Sequence, residues 1–597
     1  MNSTSCTAET NSEFETRFRF LAPLAVFLAA VLGRLPALGA WWSQDDWGLL
    51  GRAAGIVPES AGDIPARILS QKLWWSLTWP LFHLDPLPHA WCRLLLHGLS
   101  AVLVLRIGHR AGLKPLAGLT AGLLFAATPL AFTPLYWAAG IQEILAVVFA
   151  LLAVERWLAG GRKNILWAVM AGTASLLAKE SGLGLPLFFT IMLWTGSGIQ
   201  LRDKAFAWAM CLLFLLVAVI EGVLVLNHFN TDPGDPYATG GLMVALANLG
   251  VFGWWLATPG PVFASKLGWP MATVGLLVFS LWAAWAIVLW RRGRRLAAAA
   301  FVAALLSLGP ALPLQGQIHP YLAYLAAAAF SLALATILPR RWPLKAPILV
   351  MLSVLAIVWG FSGMRARLGA RDPAGLPADP VVRTTSLSWQ ICRGLPDLPL
   401  NRSEEIRPSL TFLQIPVSAR TAEMATRLGE QWVTGSSLYH ALGGHVGPSL
   451  VLGSETRIDW VNALYSNPDE ALVLCEFGTG FKHWGTTTNA ALYAALTDIG
   501  LGHFDRARKH FIRAGDLGGD TFGFSWDPDQ MIIPFEQVIA RKKAFVSWTV
   551  SLLENGEASR QEVGGLQDLY FSLLSTCTGL SVEEITSDSE LLKIEPK

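Results

Sequence analysis

Charge is scarce in this chain. Of its 597 residues only 15% are Asp, Glu, Lys or Arg, against about 25% in soluble domains. That deficit excludes a disordered, solvating chain and a nucleic-acid-binding protein, since both depend on dense charge. Cysteine is scarce too. The six residues Cys6, Cys92, Cys211, Cys392, Cys475 and Cys577 are scattered and form no CxxC, which excludes a disulfide-dense module and leaves no structural zinc or redox motif. Cys392, Cys475 and Cys577 fall in the C-terminal part, where a pair would bridge only in an oxidising compartment. What is abundant is apolar: 53% of the residues are hydrophobic and 26 are tryptophan. The composition leaves a polytopic α-helical membrane protein.

The near-neutral net charge of +2 hides two regions. Residues 1–364 hold 24 Lys/Arg against 15 Asp/Glu, and residues 365–597 hold 21 against 28. Twenty of the tryptophans lie in the first region, as expected if indoles anchor helix ends at the bilayer interface. A membrane helix needs ~20 apolar residues, and about eleven segments within 20–363 meet that demand, after a short cytoplasmic N-terminus at 1–19. Alternate connections carry Arg106, Arg110 and Lys114, then Arg162 and Lys163, Arg202 and Lys204, "RRGRR" at 291–295, and Arg340, Arg341 and Lys345. Lys and Arg resist translocation, so this bias predicts a cytoplasmic N-terminus and, with an odd number of spans, an external C-terminal domain. The stretch 240–258 lacks flanking positive charge and reads as a re-entrant or interfacial helix. The first segment reads as an uncleaved anchor because its apolar run is long.

Where charge is rare, each polar cluster stands out. The external loop 41–86 carries Asp45 and Asp46 in "WWSQDDWGLL". Two carboxylates held close raise at least one pKa, and such a pair serves as a general base or as ligand to a divalent cation such as Mg or Mn. "TPLYWAAGIQEIL" at 133–145 places Gln142 and Glu143 at a span end, and "LLAKESGLGLP" at 176–186 places Lys179 and Glu180 at a turn between spans. "LQGQIHPYLAYL" at 314–325 adds His319, Tyr321 and Tyr324. Each cluster alone also fits a helix end or a local ion pair. The topology drawn from the basic loops brings all four to the outer face, which argues for one shared site.

These motifs resemble those of the GT-C glycosyltransferases, the multi-spanning enzymes that take a sugar from a polyprenyl-phosphate carrier and include protein O-mannosyltransferases and the lipid A aminoarabinose transferase. "DDW" at 45–47 resembles the acidic motif of the first external loop, which implies Asp45 as catalytic base and Asp46 as its partner or a metal ligand. "TPLYWAAGIQE" is similar to the family's His-Pro segment ending in Gly-Arg-Asp, with Thr133, Gln142 and Glu143 in place of the histidine, arginine and aspartate. "AKESGLGLP" looks like its Lys-Glu turn, and "HPYLAYL" like the segment near the carrier phosphate, without an arginine. Arg offers a planar bidentate fork that His cannot copy. Lys179 and His319 are the nearest substitutes, with Arg67 or Lys72 from the first loop as further candidates.

The resemblance covers about residues 20–363. It implies transfer from a polyprenyl-phosphate-linked sugar to a protein, lipid or glycan acceptor at the outer face of a bacterial inner membrane, with Glu143, Lys179, Glu180, His319, Tyr321 and Gln142 binding substrate. A transporter of a lipid-linked or polar solute and a catalytically inactive scaffold of the same architecture are the competing readings.

Residues 364–380 form a linker rich in Pro, Gly and Ala, and 381–597 read as a soluble α+β domain in the periplasm or outside the cell. Segments 410–417 and 470–477 are predicted strands. Residues 492–515 read as a helix pair, with His503, Lys509, His510 and Arg513 expected on its solvated face.

Overall fold

The computed structural model describes residues 20–58, 67–195, 203–228, 238–258, 269–293, 295–315, 318–338, 346–371, 377–397, 409–413, 437–453, 456–461, 472–477, 480–483, 487–516 and 535–587. It divides into two compact units, Met1–Thr385 and Ser386–Lys597. The boundary falls inside the helix Pro380–Gly394.

The first unit is a polytopic helical bundle. Among the described residues, five helices are long and apolar enough to cross a membrane: Pro86–Arg110, Ala138–Ala159, Lys204–Leu226, Ala272–Arg291 and Pro347–Gly369. The bent pair Pro115–Ala126 and Pro129–Tyr136 makes a sixth if counted as one crossing. The eleven expected segments therefore include shorter apolar helices, among them Phe20–Leu32, Glu180–Trp194, Arg295–Ala311 and Pro320–Ala335. At ~1.5 Å per residue such helices fall short of the ~30 Å hydrocarbon core.

Local sequence explains the boundaries. Asp85 caps Pro86–Arg110 by accepting the Leu87 N–H at 3.0 Å, and Pro86 takes the first helical position, where no N–H is missed. The bend of 41° falls at Ala127–Thr128, just before Pro129, whose ring cannot continue the N–H ladder. Carbonyls around that break are satisfied by side chains. His97 Nε2 lies 3.1 Å from the Ala126 carbonyl, Arg34 Nη2 donates to Thr128 at 2.5 Å and Arg93 Nε to Leu135 at 3.0 Å. Broken backbone is tolerated at membrane depth only when re-satisfied in this way.

Packing distinguishes interior from lipid-facing helices. The hydrophobic stretch of Ala138–Ala159 is 83% buried, that of Lys204–Leu226 only 28%. The exposed leucines and valines of the latter, such as Leu212, Leu216 and Val219, suit a lipid face. The stretch expected to be interfacial forms Leu242–Ala257 and packs against Trp269–Arg291 through glycines. A Cβ on Gly275 would lie 1.6 Å from the Gly250 carbonyl oxygen, so this close helix crossing admits no side chain there.

The second unit is rich in helix and contains a four-stranded sheet in the order β2-β1-β3-β4, with β1 Ser409–Leu413, β2 Arg457–Val461, β3 Leu472–Phe477 and β4 Gly480–His483. β2 and β3 run parallel to β1 and β4 antiparallel to β3. The expected strands 410–417 and 470–477 correspond to β1 and β3, with 414–417 and 470–471 outside the described residues. Cys392 and Cys577 are free thiols.

The predicted helix pair is Thr487–Leu501 and Phe504–Asp516. Its histidine placement needs correction. His510 is fully buried rather than solvated, because Ala507, His510, Phe511 and Ala514 fall on the inward helical stripe. There His510 Nε2 lies 3.3 Å from Asp498, which also faces His503 Nδ1 at 3.5 Å and Arg506 Nη2 at 3.6 Å. Lys509 is exposed, as expected.

Candidate functional site

Five chain segments of the first unit supply the candidate site. Asp45 and Asp46 open the short helix Asp45–Ala53, where the unsatisfied N–H groups favour negative charge. The preceding Gln44 has φ 56°, a conformation unusual for a non-glycine residue. Its side chain donates to Thr384 Oγ1 at 2.8 Å, and Ser43 Oγ lies 3.2 Å from Thr385 Oγ1. The turn is thus held from both sides.

The two aspartates diverge. Asp46 is fully buried and accepts the Ser43 N–H at 2.9 Å and the Ala139 N–H at 2.6 Å. Burial pushes its carboxyl up to about 7, against the opposing pull of those hydrogen bonds and the Arg93 charge. Asp45 is exposed, and among the described residues its carboxylate has no bonded partner. Asp46 therefore ties the loop to the helix start at 138–140, while Asp45 is the accessible carboxylate. Both Asp46 oxygens are engaged by backbone, and no three His, Cys, Asp or Glu side chains gather as a metal site among the described residues. Asp46 is thus a structural carboxylate, and the Mg or Mn ion considered from sequence would have to draw on Asp45 and on a substrate's own oxygens.

The Ala139 contact leads directly to Gln142 and Glu143. Gly140 makes the turn possible, since a Cβ there would lie 2.6 Å from Pro134 Cα. Glu143 is buried, receives Lys179 Nζ at 2.8 Å and accepts the Ser181 hydroxyl at 2.9 Å. Beside it, Arg67 forks onto Glu180, with Nε to Oε2 at 2.9 Å and Nη2 to Oε1 at 2.5 Å, and Nη1 reaches Gln142 Oε1 at 3.0 Å. This planar grip is the arrangement guanidinium favours. Ser70, on the same turn as Arg67, donates to the Ala178 carbonyl at 2.6 Å and anchors that segment.

The last segment is aromatic. Lys179 Nζ lies 4.8 Å from the Tyr321 ring centroid, within cation–π range. The His319 ring stacks on Tyr321 at 5.3 Å with an 8° interplanar angle, and Trp137 approaches from 6.1 Å. Gln142, Glu143, Lys179, Glu180, His319 and Tyr321 are thus gathered together, although they come from three separated stretches of sequence. Tyr324 is not among them: it is buried in the bundle, with its hydroxyl 2.6 Å from His97 Nδ1. Thr133 is also elsewhere, accepting Arg367 Nη2 at 3.2 Å.

The 314–325 motif has no arginine, and the one that joins the cluster, through Glu180 and Gln142, is Arg67. It comes instead from the first loop, one of two basic residues there that sequence offered as substitutes; the other, Lys72, is exposed. Arg93 was missed. It is 2% exposed and contributes its charge near Asp46, and the only sequence signal was an arginine inside an apolar helix.

An apolar cavity of about 510 Å³ adjoins the cluster, with Ser181 and Ser307 on its wall and Leu185, Phe188 and Leu325 along it. Chemically, the arrangement offers an exposed carboxylate, two ion pairs, an amide, an aromatic wall and a nearby apolar slot.

No known protein family matches the chain, and no curated protein is significantly similar to it. The resemblance therefore rests on short motifs and helical architecture, and the functional assignment on the cluster itself.

Proposed function

We infer that the protein is an integral-membrane glycosyltransferase that moves a sugar from a polyprenyl-phosphate carrier to a hydroxyl or amine acceptor. In this reading the short apolar helices complete an eleven-span bundle of a bacterial inner membrane, with the N-terminus cytoplasmic and the polar cluster and C-terminal unit outside. The observation that carries it is the gathering of Arg67, Gln142, Glu143, Lys179, Glu180, His319 and Tyr321 beside the loop that presents Asp45. In a chain this poor in charge, convergence from separate segments is unexpected for chance helix ends.

Asp45 would accept the proton of the acceptor as its oxygen or nitrogen attacks the anomeric carbon. The bond from that carbon to the phosphate oxygen breaks, and the electron pair leaves with the carrier phosphate. A single base and a direct displacement invert the anomeric centre. The aromatic wall and the carboxylates suit a sugar ring, with its apolar faces and hydroxyl donors.

Transfer from a labelled polyprenyl-phosphate sugar by the purified full-length protein tests the reading. Asp45→Asn should reduce transfer by roughly 10²–10⁴-fold, the usual contribution of a general base. Equal transfer by wild type and variant would remove Asp45 as base.

One observation favours a second reading, a scaffold of this architecture without catalysis. Both site cations, Lys179 and Arg67, are already matched by carboxylates, so a phosphodiester would have to compete with Glu143 and Glu180. Absence of transfer from every carrier-linked sugar tried, with intact fold, would support it.

A further inference from the structure

The cavity that touches the cluster at Ser181 has another end, and the charge there is of a different kind. Its lining runs along the helix Arg295–Leu308 from Arg295 to Ser307, a rise of about 18 Å at ~1.5 Å per residue. Glu143 and Glu155 are separated along Ile141–Ala159 by a similar ~18 Å. The slot thus extends between two ends of the same bundle, with a predominantly apolar lining in between.

Arg110 and Arg295 both line the far end. Arg110 Nε contacts the buried Glu155 at 2.7 Å, and the same carboxylate serves Arg106 Nη2 at 2.8 Å and Arg156 Nε at 3.3 Å. Three guanidiniums share one carboxylate. Arg295 adds a fourth positive charge, with Nη1 donating to the Thr195 carbonyl at 3.1 Å and no carboxylate paired with it among the described residues. At the Ser181 end, by contrast, Lys179 is matched by Glu143 and Arg67 by Glu180.

We propose that the slot holds one acyl chain of an anionic phospholipid whose phosphate lies at Arg110 and Arg295, on the bundle end opposite the polar cluster. The volume falls within the ~300–1,000 Å³ of ligand sites, and the apolar length accommodates a hydrocarbon chain. Charge complementarity fixes the orientation: an anionic headgroup gains from cations in excess and little from cations already paired. The chain end then reaches toward Ser181 and, through its hydrogen bond, toward Glu143. This site is independent of the proposed sugar transfer and survives if that reading fails.

Native mass spectrometry of the full-length protein with palmitoyl-oleoyl phosphatidylglycerol or phosphatidylcholine provides the test. Retention of phosphatidylglycerol should exceed that of phosphatidylcholine by about tenfold, fall to parity in Arg110→Glu/Arg295→Glu, and persist in Arg110→Lys/Arg295→Lys. Ala303→Phe, which fills the slot, should abolish retention. Millimolar inorganic phosphate should not displace the lipid. Equal retention of the two lipids, retention unaffected by Ala303→Phe, or displacement by phosphate alone would each overturn the proposal.

Discussion

Asp46 and Asp498 are the same residue type, both fully buried, and they respond in opposite directions. Asp46, in the bundle unit, is held by two backbone N–H groups, and burial raises its carboxyl to about 7. Asp498, in the second unit, faces Arg506, His503 and His510; burial would raise it, yet these partners together hold it down to about 2. Backbone dipoles hold a buried carboxyl in place without supplying a whole charge, whereas a guanidinium keeps it ionised. Glu143 and Glu180 resemble Asp498 in contact geometry, since each has a cation beside it. Asp45 is exposed and unbonded among the described residues.

The largest stability effect is expected where a cation partner is removed from a buried acid. Lys179→Ala strands Glu143 and should cost about 3–5 kcal/mol, read as loss of thermal stability in detergent; Lys179→Met with Glu143→Gln should recover much of it. A small loss in the single variant would mean that Ser181 alone satisfies Glu143.

Asp498→Asn comes next. A carboxyl moved from ~3.8 to about 2 contributes about 2–3 kcal/mol near neutral pH, at ~1.36 kcal/mol per pKa unit. Because the folded pKa is depressed, that contribution is present above pH ~4 and lost as pH falls toward 2. Chemical denaturation of wild type and variant should therefore differ at pH 7 and converge near pH 2. A difference that did not shrink would contradict the ionised, Arg506-paired state.

For Asp46 the sign reverses. Its folded pKa is raised, so the native state binds the proton more tightly and stability declines as pH climbs from ~4 toward about 7. Relative to Asp46→Asn, wild type should lose on the order of 2 kcal/mol between pH 5 and pH 7. A pH-independent difference would show that Asp46 stays ionised throughout. Asp45→Asn should change stability least, within about 0.5 kcal/mol, as for exposed substitutions without partners.

Much of the bundle was legible because apolar runs read directly as helices. Gln142, Glu143, Lys179, Glu180, His319 and Tyr321 were expected on one face from the signs of the basic loops, and these side chains do gather. The number of complete crossings was not legible: helices such as Leu242–Ala257 are apolar enough for a span but too short for a straight one, and hydropathy reads composition better than length. Nor does sequence say which member of an adjacent acidic pair turns inward. Successive helical residues point ~100° apart, and only the Ala139 N–H, contributed by a distant segment, selects Asp46. His510 was legible in principle, since it sits three residues after Ala507 and four before Ala514 on the apolar stripe; its polarity concealed the register.

The most direct measurement is transfer of labelled sugar from a polyprenyl-phosphate carrier by wild type, Asp45→Asn and Asp46→Asn, each first shown to be folded. The account predicts transfer by wild type and a loss of at least 10²-fold in Asp45→Asn, with a smaller, pH-dependent deficit in Asp46→Asn. Undiminished transfer by Asp45→Asn would contradict it.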